Sequence, residues 1–297
     1  MTNYSAKDVD QLVEIISRRV EGELGRAASG SNALPASCRS CDAVGCCDAK
    51  TVTGSLDQGA KRIGTDGPIG AAPCAHVAPY IDHTLLKPEA TRDELRKVCD
   101  EARQFGFATV CVNAVNVRYV AQQLSGCGTV PIAVVGFPLG ASTPGAKAFE
   151  TREAVRDGAK EIDTVINIGA LKGRDHGLVF TDIKAVVDAA GKVPVKVIIE
   201  TSKLEQDEKI MACTLAKAAG AAFVKTSTGF GGGGATPDDV ALMRSVVGPD
   251  VGVKASGGVR NIDDAEAVIA AGANRIGASS SVSIVQCKRP AGGAKGY

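Results

Sequence analysis

The sequence predicts an α/β fold, a closed (β/α)8 barrel that is preceded by an amphipathic helix and a flexible linker. Strand-like and helix-like segments alternate from about residue 77 onwards, and eight of these segments are strand-like. Several helix-like segments end in glycine, the common residue just after the last helical turn. Regular alternation produces a parallel sheet, and eight repeats favour a closed barrel over an open doubly wound sheet.

The strand-like segments are short, rich in β-branched residues and bounded by turn residues. In chain order they are YIDHTLL, FATVCVN, PIAVVGFP, EIDTVINI, PVKVIIET, AFVKTST, VGVKASGG and RIGAS. The helical segments between them include TRDELRKVCDEARQFG, PGAKAFETREAVRDGA, DEKIMACTLAKAAG, PDDVALMRSVVG and NIDDAEAVIAAG. The motif GxGxxG does not follow the first strand, which argues against a dinucleotide-binding sheet.

The chain ahead of the barrel has a different composition. Residues 1–24 carry one apolar helical stripe, formed by Val9, Leu12, Val13, Ile16 and Val20. Residues 25–76 are rich in Gly, Ser, Asp and Pro, and too poor in large apolar side chains to offset the entropy of ordering. We therefore predict an amphipathic helix at 1–24, a flexible linker at 25–76, a barrel at 77–287 and a flexible tail at 288–297.

The overall composition argues against several classes of protein. The formal net charge of +1 argues against a nucleic-acid partner, which would require a basic surface. No apolar run has the length of a membrane span, and the first residues lack the continuous apolar region of a secretory signal. The ten cysteines, apart from one cluster, are scattered, which predicts reduced thiols and a cytoplasmic location rather than a disulfide framework.

We expect neither a metal nor a cofactor. The cysteine cluster, C-x2-C-x4-C-C, consists of Cys38, Cys41, Cys46 and Cys47. Its spacing matches no standard zinc or iron–sulfur site, so a redox-sensitive or an incidental cluster is the alternative interpretation. The three histidines are His76, His83 and His176, and their positions suggest no shared site.

Polar side chains fall near the ends of the predicted strands, where barrels of this class place their catalytic groups. They are Asp82, Cys111, Asn113, Asp163, Asn167, Glu200, Lys225 and Lys254. Either lysine alone could lie at a strand edge with its ammonium group in water. Two lysines at similar heights on adjacent strands, with Asp163 nearby, favour a functional site.

The lysine pair predicts imine chemistry. A free lysine has a pKa of about 10.4, and the amine must lose its proton before it can attack a carbonyl. Burial and a second ammonium group both lower such a pKa. We therefore expect Lys254 to lower the pKa of Lys225, and Asp163 to balance the remaining charge and to move protons.

The last two strands are followed by small residues that could bind phosphate. They are Gly257 and Gly258 after the seventh strand, and Gly277, Ser279 and Ser280 at the end of the eighth. Backbone N–H groups after these two strands commonly form the phosphate site of a (β/α)8 barrel. Tight turns are the alternative interpretation.

Several long motifs occur together in one order. FVKTSTGF, VKASGGVR, EIDTVINIGAL, IDHTLLKP and RIGASSSVSIV resemble deoxyribose-phosphate aldolases, which are class I aldolases, from about Tyr80 to Val285. The resemblance implies reversible cleavage of 2-deoxy-D-ribose 5-phosphate, a small sugar phosphate, to D-glyceraldehyde 3-phosphate and acetaldehyde.

The resemblance also implies roles for individual residues. Lys225 would form the Schiff base, Lys254 would tune it, and Asp163 would belong to the proton relay. Cys111 would lie near the active site, although a small buried thiol can equally be packing. We expect the substrate contacts to be Asp82, Thr226 and Thr228.

Two features of the chain bear on how closely it follows the family. Some members have a lysine directly after TSTG, where this chain has Phe230, so phosphate affinity would rest more on backbone donors and Ser279 or Ser280. Unphosphorylated substrates could then be tolerated. The terminal GGAKGY resembles a tail that some members fold over the active site, which places Tyr297 at the imine as a hypothesis; a disordered tail is the alternative.

The N-terminal extension resembles the encapsulation peptides of bacterial microcompartment cargo. Residues 1–24 would then bind a shell protein, and the shell would retain volatile acetaldehyde. A helix that caps the barrel or mediates dimerisation is the alternative. Homodimers are common in the family, so we expect a homodimer. Rival functions are another imine-forming barrel, such as a transaldolase or a keto-acid aldolase, and a non-catalytic scaffold barrel.

Overall fold

The computed structural model describes residues 74–288 and, ahead of them, Gln11 alone. Within residues 74–288, eight parallel strands form a closed barrel in which each strand pairs with the next along the chain and the eighth pairs with the first. The predicted (β/α)8 barrel is therefore confirmed. The continuous described region begins at Cys74, shortly before the predicted start of the barrel.

Helices connect the strands on the outside of the barrel. In chain order the elements are β1 (Ile81–Leu85), α1 (Arg92–Phe105), β2 (Thr109–Asn113), α2 (Val117–Gln123), β3 (Val130–Val135), α3 (Pro144–Arg156), β4 (Glu161–Val165), α4 (Ile168–Lys172), α5 (His176–Ala190), β5 (Val195–Ile198), α6 (Gln206–Ala218), β6 (Phe223–Lys225), α7 (Pro237–Val247), β7 (Gly252–Ser256), α8 (Ile262–Ala270), β8 (Arg275–Ala278) and α9 (Ser281–Val285). Short 3-10 helices occupy Ala75–Tyr80, Ala114–Asn116 and Thr201–Lys203.

Capping side chains account for where several helices begin. Thr91 and Glu94 form a reciprocal capping box at the start of α1. Thr143 and Thr236 cap α3 and α7, each directly before a proline in the first helical turn. The five helical segments named from the sequence are confirmed as α1, α3, α6, α7 and α8.

The helices after β2 and β4 were not recognised from the sequence. In α5 the buried stripe that includes Val179, Ile183 and Val186 is obscured in the sequence, because Leu178 and Phe180 flank Val179 and make a continuous apolar run. A continuous apolar run does not have the period by which an amphipathic helix is recognised.

The described part of the molecule contains two apolar clusters, and only the smaller one lies inside the barrel. The larger one lies between the strands and the surrounding helices. The smaller one comprises Leu86, Cys111, Ile132 and Val134, with Phe137 packed against it. The part of the interior that is lined by Cys111 of β2 and by Ile132 and Val134 of β3 is therefore apolar.

The expectation of reduced thiols is wrong for one pair of cysteines. Cys74 and Cys287 form a disulfide between the two ends of the described region, with their Cα atoms 5.7 Å apart. The backbone N–H of Cys74 also donates to the carbonyl of Val285, at 2.9 Å, which holds the two ends together. Because the two cysteines are 213 residues apart in sequence, their spacing could not reveal the pair. Cys99, Cys111, Cys127 and Cys213 are free.

Several predictions fall outside the described residues. They concern the shell-binding helix at 1–24, nearly all of the linker, the cluster of Cys38, Cys41, Cys46 and Cys47, and Tyr297. Among the helices that the structure describes, none has the length and apolar character needed to cross a membrane.

Candidate active site

The carboxylate of Asp163 lies at the centre of the candidate site. Its Oδ2 atom accepts hydrogen bonds from Lys225 Nζ at 2.8 Å and from Lys254 Nζ at 2.7 Å. All three side chains are buried inside the barrel. The two lysines singled out from the sequence thus converge on one carboxylate oxygen.

Strand register explains this convergence. Lys225 of β6 and Lys254 of β7 are direct neighbours in the ladder. Asp163 of β4 is the direct neighbour of Lys196 on β5. Side chains alternate between the two faces of a strand, so neighbours of matching parity all point into the barrel. Lys225 is the last residue of its strand, whereas Lys254 and Asp163 lie in the middle of theirs.

A second layer of charges supports the central carboxylate from its other side. Lys196 Nζ donates to Asp163 Oδ1 at 3.1 Å and also to Glu161. Arg275 Nη2 donates to Glu161 Oε1 at 2.7 Å. Sequence reasoning missed Lys196, Glu161 and Arg275. The available signal was their strand position, because Glu161 lies two residues before Asp163 and so shares its face.

Asp82 belongs to this buried network. Its Oδ2 atom forms an ion pair with Lys254 Nζ at 2.6 Å, and Arg275 Nη1 and Thr109 Oγ1 donate to its Oδ1 atom at 2.5 and 2.7 Å. It is the second residue of β1 and is fully buried. The carboxylate is therefore placed to hold Lys254, and its contact with a substrate stays a prediction.

The network has one basic group more than it has carboxylates. In the described part of the barrel interior, ion pairs connect Asp82, Glu161 and Asp163 with Lys196, Lys225, Lys254 and Arg275. An unbalanced buried charge is costly. The network is neutral when one of its lysines has lost its proton.

The environment of each group indicates which lysine that is. Burial lowers the pKa of Lys225, with Asp163 opposing and Lys254 assisting. Burial also disfavours the ammonium form of Lys254, but Asp163 and Asp82 outweigh it and raise the pKa of Lys254 above its ordinary value. Burial would raise the pKa of Asp163, yet Lys196, Lys225 and Lys254 together hold it well below its usual range. Burial therefore lowers the pKa of Lys225 more than repulsion from Lys254 does.

The two predicted threonine contacts are engaged with protein groups. Thr226 Oγ1 accepts from the backbone N–H of Ser256 at 3.0 Å and donates to the Ser256 carbonyl at 3.1 Å, which ties β6 to β7. Thr228 donates its hydroxyl, and its N–H at 3.2 Å, to Glu200 Oε2. Their role towards a substrate stays a prediction.

Other polar residues near the strand ends shape the loops. Asn113 Nδ2 donates to the Leu86 carbonyl at 3.1 Å, and Asn167 caps α4. Glu200 is buried with a φ of 58°, an uncommon backbone conformation for a residue other than glycine. It holds the loop after β6 through Thr228.

Cys111 lies on the apolar wall of the barrel interior. It packs with Leu86, Ile132 and Val134, and burial raises the pKa of its thiol to about 11. The side chain is therefore an uncharged thiol at neutral pH and contributes apolar surface to the site.

The small residues after β7 and β8 fall into two groups. Gly257 and Gly258 adopt φ values of 81° and 79°, which favour glycine, and both are at least partly exposed at the mouth. Ser279 and Ser280 are likewise accessible and directly precede α9. Gly277 instead lies within β8, where a Cβ atom would be 3.1 Å from Lys254 Cε. Its lack of a side chain makes room for that lysine.

Phe230 lies at the rim of the site. Its backbone N–H donates to Thr228 Oγ1 at 3.0 Å, and its ring packs edge-on against Phe137 with the ring centroids 5.4 Å apart. The side chain is 44% exposed. The position that bears lysine in some members thus presents an aromatic surface here.

The histidines do not approach the lysine pair. His76 contacts Glu266, His83 lies between Ser281 and Glu101, and His176 is the first residue of α5. Across residues 74–288, the structure brings together no group of three or more His, Cys, Asp or Glu side chains that could hold a metal ion.

Known proteins match this chain over the whole length of the barrel. Residues 76–286 match the model of the family described as DeoC/LacD family aldolase. A deoxyribose-phosphate aldolase of Macrococcus caseolyticus is 58% identical over 211 residues, which are 71% of this chain and 96% of that protein. A second, from Streptococcus gordonii, is 59% identical over 213 residues, which are 72% of this chain and 97% of that protein.

A solved structure shows the same fold at lower identity. The tetrameric deoxyribose phosphate aldolase of Aeropyrum pernix matches with a TM-score of 0.68 and 30% identity. The match covers 79% of this chain and 95% of that chain. The barrel described here is therefore shared by relatives of quite different sequence.

Replacing Asp163 by Asn should strongly destabilise the protein. The change leaves buried ammonium groups without the carboxylate that Lys225, Lys254 and Lys196 contact. We expect the free energy of unfolding to fall by about 3–5 kcal/mol in urea denaturation at neutral pH. Asp188→Asn, which breaks the exposed pair with Lys184, is the control and should change stability little. Equal stability of the two variants would contradict the central role of Asp163.

Proposed function

The chain belongs to the DeoC/LacD family of aldolases, and from this premise we propose that Lys225 is the amine that carries its reaction. The reaction is the reversible cleavage of 2-deoxy-D-ribose 5-phosphate to D-glyceraldehyde 3-phosphate and acetaldehyde through a Schiff base. The observation that carries the proposal is the convergence of Lys225 and Lys254 on Asp163 inside the barrel. Aldolases of this type need an amine without a proton, and burial lowers the pKa of Lys225.

The first step is attack on the substrate aldehyde. The neutral Nζ atom of Lys225 adds to C1, and loss of water leaves a positively charged imine. Asp163 Oδ2, 2.8 Å from Lys225 Nζ, stabilises this new charge as it would stabilise an ammonium group. Since the imine restores the positive charge, an ionised Asp163 favours its formation.

The second step breaks the C2–C3 bond. The imine accepts the bonding electrons, so the two-carbon fragment leaves as an enamine instead of a bare carbanion, while the C3 hydroxyl loses its proton and becomes the new aldehyde. Asp163 and Lys254 share a hydrogen bond of 2.7 Å and together form the proton-transfer pair for this step and for protonation of the enamine at C2. Hydrolysis of the imine then releases acetaldehyde.

The phosphate group would bind at the mouth of the barrel. Gly257 and Gly258 present backbone N–H groups there, and Ser279 and Ser280 supply hydroxyl groups across the same opening. Gly277 contributes indirectly, because it accommodates Lys254. A homodimer and a cytoplasmic location, with or without a microcompartment shell, stay predictions for this chain.

Borohydride trapping tests the assignment of Lys225. Incubation of the protein with acetaldehyde and borohydride should add one ethyl group to Lys225, located by peptide mass spectrometry, because reduction fixes the imine. Lys225→Met should abolish the label. Acetaldehyde as the reacting donor also distinguishes this activity from a keto-acid aldolase. A label on Lys254, or none at all, would refute the proposal.

The pH dependence of trapping tests the role of Lys254. Only the neutral amine reacts, so the trapping rate rises as pH passes upwards through the pKa of Lys225. Lys254 lowers that pKa, so Lys254→Met should move the profile to higher pH. Asp163 raises it, so Asp163→Asn should move the profile to lower pH.

The matched control is Lys184→Met, which removes a lysine on the exposed surface of α5 and should leave the profile in place. A profile that stays in place in Lys254→Met, or that moves to lower pH, would show that Lys254 does not influence the reactive amine.

Inorganic phosphate tests the binding site at the mouth. It should inhibit cleavage of 2-deoxy-D-ribose 5-phosphate competitively, since both would occupy the backbone donors of Gly257 and Gly258. The apparent KM should rise with phosphate concentration at constant kcat. Sulfate of equal ionic strength should act similarly, whereas chloride should not. Inhibition that lowers kcat without raising KM would place the anion elsewhere.

A further inference from the structure

Two buried serine hydroxyls lie close to the lysine pair and have no protein partner. Ser227 is 0% exposed and Ser256 is 5% exposed. Neither Oγ atom makes a hydrogen bond to any of the described residues. Buried hydroxyl groups are nearly always hydrogen-bonded, because leaving one unpaired costs free energy of folding. Two such groups near the lysine pair leave hydrogen-bonding capacity free for a bound molecule.

Ser256 lies beside Lys254 inside the barrel. It is the last residue of β7, two residues beyond Lys254, so both side chains lie on the inner face of the strand. A Cβ atom added to Gly277 would lie 2.1 Å from Ser256 Oγ and 3.1 Å from Lys254 Cε. The hydroxyl group and the lysine stem therefore lie next to each other over Gly277, inside the barrel.

Ser227 bears the same relation to Lys225. Strand pairing continues one residue past β6, since the N–H of Thr226 donates to the Lys254 carbonyl at 3.0 Å and its carbonyl accepts from Thr201 at 2.9 Å. Alternation along this extended backbone places Ser227 on the same face as Lys225. Because Lys225 and Lys254 are neighbours in the ladder, Ser227 and Ser256 are neighbours one layer closer to the mouth.

This layer lies between the two ends of the proposed substrate. C1 would be bonded to Lys225 below, and the phosphate on C5 would lie at Gly257 and Gly258, which directly follow Ser256. The middle of the substrate, C3 and C4, carries its two hydroxyl groups. The apolar cluster of Leu86, Cys111, Ile132 and Val134 offers those hydroxyl groups no hydrogen-bond partner.

We infer that Ser256, together with Ser227, binds the hydroxyl groups at C3 and C4 of the substrate and so selects hydroxylated aldehydes. The inference rests on the proposed function, because it takes the imine at Lys225 as the fixed end of the substrate. In the direction of synthesis, the same contacts orient the 2-hydroxyl group of the acceptor aldehyde. Acetaldehyde, which has no hydroxyl group, would not use them.

The test compares a hydroxylated substrate with one that lacks hydroxyl groups. In Ser256→Ala and in Ser227→Ala, kcat/KM for 2-deoxy-D-ribose 5-phosphate should fall about 3- to 10-fold, which is the effect of losing one hydrogen bond to the substrate. Trapping of acetaldehyde at Lys225 should change by less than about twofold, since no contact with a hydroxyl group is lost.

Thermal stability gives a second readout. Each serine hydroxyl lacks a hydrogen-bond partner among the described residues, so its removal should leave Tm unchanged or raise it. Thr214→Val is the matched control, because Thr214 Oγ1 is also buried and unpaired but lies on the outer helix α6. Thr214→Val should likewise leave Tm unchanged or raise it, and its kinetics with both compounds should equal those of the wild-type protein.

The outcomes are distinct. If the wild-type protein is not trapped at Lys225, the proposed function fails and the inference fails with it. If trapping succeeds but Ser256→Ala loses activity equally with both compounds, or with neither, the inference alone is overturned. A loss confined to the hydroxylated substrate, without loss of Tm, supports it.

Discussion

The carboxylate of Asp163 is the constraint on which the rest of the site depends. It is fully buried and is contacted by three lysines, of which two share a single oxygen atom. A buried carboxylate stays ionised only when cations surround it, and buried ammonium groups need the carboxylate in turn. Together with Asp82, Glu161 and Arg275 it forms a network that is electrically neutral when one lysine has lost its proton. In the proposed mechanism, the reaction starts from the lysine that has lost its proton.

The two lysines differ because their surroundings differ. Lys254 contacts two carboxylates, Asp163 and Asp82, and these raise its pKa despite burial. Among residues 74–288, Lys225 forms an ion pair with Asp163 alone, and burial lowers its pKa. It is also the last residue of its strand, and so lies closer to the mouth from which a substrate arrives. Position and charge thus both support the proposal that Lys225 is the nucleophile and that Lys254 helps to keep it neutral.

The sequence was sufficient to predict the barrel, because eight apolar strand-like segments alternate with helical ones. It also singled out Lys225, Lys254 and Asp163, since charged residues are rare in apolar strand-like segments, although Lys254 and Asp163 lie in the middle of their strands and not at the ends. It did not identify Lys196, Glu161 or Arg275, because only the closed barrel shows that these strand residues face each other. The pairing of Cys74 with Cys287 depends on how the ends of the chain meet, which no spacing encodes. Gly277 was interpreted as part of a phosphate loop, whereas its place within β8 beside Lys254 follows from the register of β7 and β8.

A titration of the lysine amines themselves tests most directly whether Lys225 and Lys254 differ in pKa as described. In protein labelled with ¹³C at the lysine Cε atoms, NMR spectra recorded against pH would follow each amine, with Lys225 assigned by its absence from Lys225→Met. We expect Lys225 to lose its proton below the pKa of a free lysine, about 10.4, and Lys254 to stay charged above it. A Lys225 amine that titrates with the exposed lysines or above them, or a Lys254 amine that loses its proton first, would contradict it.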